Sequence, residues 1–207
     1  MWCLVCTPIG IALNPRIAAL VPKGKVSAVG GGKGLIAQRS SNGHVRGYVM
    51  FRVPEDWLAK GGLDLSSPAR ARAELKNQLS DWSPTLLAFV DECSDTIVPR
   101  PIVALPVGHR WDHRPGVTLL GDAAHVMSPF SGEGVNMAML DAAELGRALA
   151  EDSDWSRAVA SYEERMFVRA AEAAAGAADG LAFVSDEGLS HILEHFQSLR
   201  DAAGTSS

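Results

Sequence analysis

One segment of the 207-residue chain concentrates residue types that could hold a cofactor. Residues 115–141 read PGVTLLGDAAHVMSPFSGEGVNMAMLD. The run at 117–120 is short, apolar and partly β-branched, the composition of a buried parallel strand. It ends abruptly in Gly121 and Asp122. A carboxylate at the C-terminal end of such a strand sits where open α/β sheets bind ligands. There Asp122 accepts hydrogen bonds from sugar-type hydroxyls, and Gly121 lets a ligand approach the backbone closely. Pro129 follows, then Gly132, Glu133 and Gly134 directly before a predicted helix. Glycines at a helix start leave bare N–H groups pointing outward with the positive end of the dipole behind them. That cradle suits an electron-rich ring oxygen or an anion. One segment thus offers a hydroxyl acceptor and an N–H cradle about ten residues apart.

Other reactive residues carry less. His125 is read as a histidine bonded to backbone rather than a ligand or base, and Asp141 as a solvated or helix-pairing carboxylate. His191 and His195 have metal-compatible helical spacing but no third ligand motif nearby. They are read as surface histidines, as are His109 and His113. Cys3 and Cys6 have redox-motif spacing at an apolar terminus with no second pair, which chance explains. Ser131 lacks the glycine that precedes the nucleophile of a hydrolase elbow.

The elements that must position these residues change texture along the chain. Residues 1–108 read as strands and turns, and 132–200 as helices. A strand at 34–39, the hairpin signal Asn42-Gly43 and a strand at 44–53 form a pair. In the second strand Val45, Val49, Phe51 and Val53 share one face, and His44, Arg46, Tyr48, Met50 and Arg52 the other. Helices are predicted at 69–82 and 85–92. An edge strand carrying Pro101 is predicted at 97–105. Further helices are expected at 135–150, with Ala138, Ala142, Leu145 and Leu149 on one stripe, and at 154–183 after a cap at Asp152 or Ser153. The long helix shows Val159, Tyr162, Met166 and Ala170 on one face, and Glu163, Glu164, Arg165, Arg169 and Glu172 on a polar one. A last helix is read at 189–199, with a frayed tail at 204–207.

The pattern GDAAHxxxPxxGxGxNxxMxDA resembles the second FAD fingerprint of the class A flavoprotein monooxygenases. LIAQRSSNGHVR, RVPEDW and the C-terminal helices resemble the branch containing the tetracycline-inactivating monooxygenases. The resemblance runs from about Ile9 to Phe196 and is specific chiefly at 121–142. It implies an α/β (α+β) fold in three parts. A mixed or antiparallel substrate-domain sheet occupies 1–108. The second half of an FAD-binding domain occupies 109–150, and a helical segment 151–207. It implies FAD as cofactor and NAD(P)H as reductant. One oxygen atom of O₂ would enter a small aromatic or polyketide-like substrate. By this resemblance Gly121 and Asp122 meet the ribityl and pyrophosphate portion, and Pro129 lies beside the flavin ring. The backbone of Gly132, Gly134, Val135 and Asn136 meets the pyrimidine edge. The substrate-domain sheet faces substrate in that family, which makes Gln38, Arg39 and Arg52 candidate contacts; residue pattern alone makes them a half-exposed sheet face.

The family's N-terminal G-x-G-x-x-G is not in this sequence. The nearest approach, Gly30 to Gly34, places Leu35 where the third glycine would fall and reads as a turn before a strand. The resemblance therefore makes the chain an N-terminally truncated member. Two function classes follow: a flavin monooxygenase, or a non-catalytic remnant that binds FAD weakly or not at all or pairs with a separate N-terminal chain. A flavin reductase of the same fold is a third reading. Composition agrees with a globular protein: 47% hydrophobic, 21% charged, net charge −5. The acidic balance argues against nucleic-acid binding. No apolar run approaches the roughly 18 residues of a membrane span. Three cysteines and no signal-peptide pattern point to the cytoplasm.

Overall fold

In this computed structural model the structure describes residues 2–10, 15–41, 43–182, 190, 194 and 197. Asn42, His191, His195, the side chains of Cys3 and Cys6, the tail and most of the helix expected at 189–199 lie outside the described residues. The chain divides into two compact units, one containing residues 1–102 and the other residues 103–183.

The first unit is an antiparallel sheet covered on one face by helices. Its elements in chain order are β1 (Trp2–Gly10), α1 (Pro15–Leu20), β2 (Lys25–Gly30), β3 (Lys33–Arg39), β4 (His44–Arg52), α2 (Pro68–Gln78), α3 (Pro84–Asp91) and β5 (Val98–Ile102). The strand order is β2-β3-β4-β1-β5, with every pair antiparallel. Gly31 and Gly32 join β2 to β3 with φ of 57° and 68°. Positive φ at both central residues gives the turn whose twist matches a two-residue hairpin. The expected turn before a strand is therefore the tip of this hairpin.

Val45, Val49 and Phe51 of β4, with Leu35 and Ala37 of β3, form one buried face. Against it pack Ile17, Leu75, Leu79, Ala88, Phe89 and Val90 of the helices and their ends. Met50 lies on the opposite face of β4, as the alternation expects, and is buried there too. Pro68 and Pro84 open α2 and α3, where a missing N–H costs nothing, and the Ser83 hydroxyl accepts from the Leu86 amide. β5 is an edge strand, where Pro99 and Pro101 are tolerated. The sequence pattern did not announce β1, α1 or β2. β1 lies between β4 and β5, and its apolar run has no alternation to mark it.

The second unit has an irregular segment at 103–121 followed by α4 (Asp122–His125), α5 (Gly134–Glu151) and α6 (Trp155–Ala182). The parallel strand expected at 117–120 is absent. Val117, Leu119 and Leu120 are 58%, 42% and 41% exposed, and the segment makes only an isolated bridge between Arg114 and Val117. Side chains of α6 hold it instead of a strand ladder. The Tyr162 hydroxyl donates to the Leu119 carbonyl at 3.2 Å, and Thr118 Oγ1 donates to Glu163 Oε1 at 2.7 Å. The start of α6 is capped by Asp154, whose Oδ1 accepts from the Arg157 amide at 3.2 Å, rather than by Asp152 or Ser153. Tyr162, Met166 and Ala170 are buried as expected, with Ala124.

Candidate flavin site

Gly121 has φ 59° and ψ −142°, a conformation open to glycine and strained for other residues. A Cβ there would lie 3.2 Å from Ala138 Cβ on α5, so the turn packs directly on that helix. The sharp turn leaves Asp122 exposed at the first position of α4 while Ala124 and His125 turn inward. Its carboxylate is free to accept from hydroxyl donors.

Helix α5 begins twelve residues after Asp122. Its N-cap is Glu133, which makes no side-chain cap bond, so the first-turn N–H groups of Gly134, Val135 and Asn136 are not claimed by a capping side chain. Gly132, at φ 72°, and the Gly132 amide bonded to the Pro129 carbonyl at 3.2 Å shape the approach. Pro129, Gly132, Val135 and Asn136 are exposed, and Gly134 is half-buried. An 18-residue helix presents about half a positive charge at this end. The residues present thus fit the ribityl hydroxyls and an electron-rich ring oxygen of a flavin: a carboxylate acceptor on one turn and open N–H donors on a neighbouring helix end.

Beneath this surface lies a buried polar set. Asp141 of α5 is fully buried, and its Oδ2 accepts from the Gly121 amide at 3.0 Å and lies 2.5 Å from His125 Nε2. Arg169 of α6 donates to Asp141 Oδ1 at 3.3 Å and to Glu144 at 2.7 Å. An ionised carboxylate only accepts, so the His125 proton resides on Nε2. Its Nδ1 is buried without a partner among the described residues, and His125 is among the residues lining a cavity of about 10 Å³, room for about one water. The structure corrects the reading of His125, which bonds a side chain, and of the two roles expected for Asp141 it shows the helix-pairing one, through Arg169, and not the solvated one.

The expected polar face of α6 is corrected in the same way. Glu163 is buried, accepting from Trp111 Nε1 at 3.0 Å and from Thr118, with His113 Nδ1 at 2.7 Å. Burial works to raise the Glu163 carboxyl, but the Thr118, His113 and Trp111 donors outweigh it and hold the group below the usual range. Burial, with the Asp141 charge adding to it, pushes the Tyr162 phenol well above its usual value. His113, read as a surface histidine, is thus tied to Glu163, and its Nε2 lies 3.2 Å from Ser156 Oγ. No spacing rule pairs these residues. Their one signal is the excess of charge on helices whose other residues are mostly alanine and leucine.

The candidate substrate residues lie in the first unit and are not all together. Gln38 pairs across the sheet with Arg46, so it lies with Arg52 on the face turned away from the buried core. Arg39 pairs with Val45 and lies on the helix-covered face, at its rim. There it helps to line an open cleft of about 610 Å³ with Pro22, Lys23, Ser40 and Ser41.

Comparison with known proteins follows this geometry. Residues 107–175 match the family described as FAD binding domain. A stretch of 163 residues, 75% of the chain, is 31% identical to 36% of FAD-dependent monooxygenase OpS4 from Beauveria bassiana (strain ARSEF 2860). The fold is like that of Klebsiella pneumoniae HpxO complexed with FAD and uric acid (TM-score 0.76, 22% identity, 97% of this chain and 49% of that one). It is also like that of tetracycline destructase Tet(55) (TM-score 0.61, 17% identity, 87% of this chain and 45% of that one).

The chain is thus similar to FAD-dependent monooxygenases and carries a segment that matches the FAD binding domain family. It spans about a third of the length of OpS4 and about half that of HpxO. The family match covers the site described above, Gly121 and Asp122 through the start of α5, together with Asp141 and Arg169. No helix among the described residues is long and apolar enough to cross a membrane.

Proposed function

We propose that the second unit carries the flavin-facing part of an FAD-dependent, NAD(P)H-using monooxygenase that acts on a small organic substrate in the cytoplasm. The observation that carries this reading is the exposed Asp122 carboxylate on the positive-φ Gly121 turn, packed against a helix whose own N-terminus has no side-chain cap. Asp122 accepts from the ribityl hydroxyls. The backbone of Gly132, Gly134, Val135 and Asn136 donates to the pyrimidine edge, and Pro129 flanks the ring. When bound, FAD supplies electron transfer from the nicotinamide and oxygen activation. The protein's part is orientation, exclusion of water, and N–H dipoles that favour negative charge on the reduced ring. Gln38 and Arg52, which share one face of the sheet, are proposed to contact the substrate, aromatic or polyketide-like; Arg39, on the opposite face, is not. The uric acid bound by HpxO is a molecule of that size class.

Titration of the purified chain with FAD, followed by flavin fluorescence and melting temperature, tests the reading. Binding lost on Asp122→Ala at unchanged melting temperature of the apoprotein supports it, as does NAD(P)H oxidation by the loaded protein. No FAD binding by the wild-type chain sinks it for these 207 residues. A second reading is favoured by exposed apolar residues of the second unit, including Val117, Val135 and Met139. In it the chain is non-catalytic and associates with another polypeptide through this surface.

A further inference from the structure

We propose that Asp141 is a positioning residue of the flavin site, one that clamps α4 so that Asp122 faces outward; the proposal rests on the flavin reading above. Both ends of the four-residue α4 converge on a single oxygen. The Gly121 amide, just before it, and the His125 ring, at its last position, both meet Asp141 Oδ2 at 3.0 and 2.5 Å. Rotation of α4 that swings Asp122 away from the surface breaks one or both contacts. Ala138, one helical turn before Asp141, packs against the same turn, with 3.2 Å to the place of a Gly121 Cβ. The turn is therefore held twice by α5, the helix whose N-terminus forms the other half of the cradle. Carboxylate and N–H donors are thereby fixed to one rigid element, which is how a binding constellation keeps its spacing.

A fully buried carboxylate is costly unless its charge is compensated. Arg169 supplies the compensation, reaching Asp141 Oδ1 at 3.3 Å and Glu144 at 2.7 Å. The two oxygens of Asp141 thus do different work: Oδ2 holds the turn and Oδ1 meets the counter-charge. In a helix otherwise rich in alanine and leucine, a purely packing role at this position needs no charge. Asp122 itself is exposed at the start of α4, and its carboxylate takes part in no ion pair among the described residues.

The division of labour between the two oxygens sets the test, which compares FAD affinity with melting temperature across Asp141→Ala, Asp141→Asn and Arg169→Gln. Asp141→Ala frees both ends of α4 and is expected to weaken FAD binding by about tenfold or more. Asp141→Asn keeps an acceptor for Gly121 and His125, turning its amide toward Arg169. Arg169→Gln leaves the turn untouched. Both are expected to lower the melting temperature while FAD affinity stays within about threefold. If Asp141→Ala does not fold, His125→Ala frees one end of α4 and takes its place with the same expectation. Affinity that falls in step with melting temperature in every variant overturns the proposal. An independent reading needs no flavin: the Gly121 amide should exchange slowly in the wild type and lose that protection in Asp141→Ala. Equal exchange in both overturns the clamp. Absence of FAD binding in the wild type, with the Gly121 amide still protected, fails the flavin reading alone.

Discussion

Gly121 is the residue on which the site geometry turns. Any side chain there meets both a positive φ and Ala138. Gly121→Ala should therefore cost about 1–3 kcal/mol of stability, measured by urea unfolding, and should weaken FAD binding with it. Glu163 gives a second prediction through pH. Its carboxyl is held below its ordinary 4.5 by the Thr118, His113 and Trp111 donors, against the opposing effect of burial. A depressed folded value means that the ionised group stabilises the fold above the unfolded pKa. That contribution fades as pH falls through the lower folded value. Wild-type stability should thus decline from about pH 4.5 downward, and Glu163→Gln should flatten this part of the profile. At neutral pH the same substitution should cost about 1–3 kcal/mol. At this scale the sequence was informative wherever function is written in residue type: glycine, aspartate and proline at fixed spacing marked 121–136. It left the burial of Asp141 open and put Glu163 on a polar face, because a buried carboxylate and a solvated one look alike until the partner helix is placed.

Elements were legible where local chemistry decides them. The prolines at 68 and 84, the alternation in β4 and the alanine-rich α6 each specify their element, and each formed within a few residues of expectation. The failures have two physical causes. The 117–120 run has the composition of a buried strand, yet a strand needs neighbours. With none beside it in the second unit, the side chains of α6 hold it instead. The stripe on α5 was read from apolar residues, but Met137 and Asp141 are what the helix buries. A polar residue with three partners can occupy a core position that periodicity assigns elsewhere. The β2–β3 hairpin yields an element-scale prediction. Gly31 holds φ 57°, and a Cβ there meets only Asp81 Oδ2, at an ordinary 3.8 Å. Asparagine tolerates that φ and restricts the unfolded chain, so Gly31→Asn should stabilise the protein by about 0.4–1 kcal/mol, read as a rise in the urea midpoint at constant slope.

For the molecule as a whole, the fold class and family were readable from motif and texture, while the role of its surface was not. Val135 and Met139 are 73% and 68% exposed on α5, and exposed apolar clusters invite association. Met139→Lys should leave stability within about 0.5 kcal/mol and reduce concentration-dependent self-association in sedimentation velocity. Unchanged association would assign it to some other surface. The sheet topology has a consequence in time. β1, made by the first residues, pairs with β4 on one side and β5 on the other, and Trp2 lies opposite both Arg52 and Ile102. β4 follows β1 in the chain, and the second partner, β5, comes about 100 residues after it. The exposed backbone of a nascent strand is a template for mispairing. Until β5 is made, the edge of β1 that will receive it stays without its native partner, and that edge is where mispairing would begin.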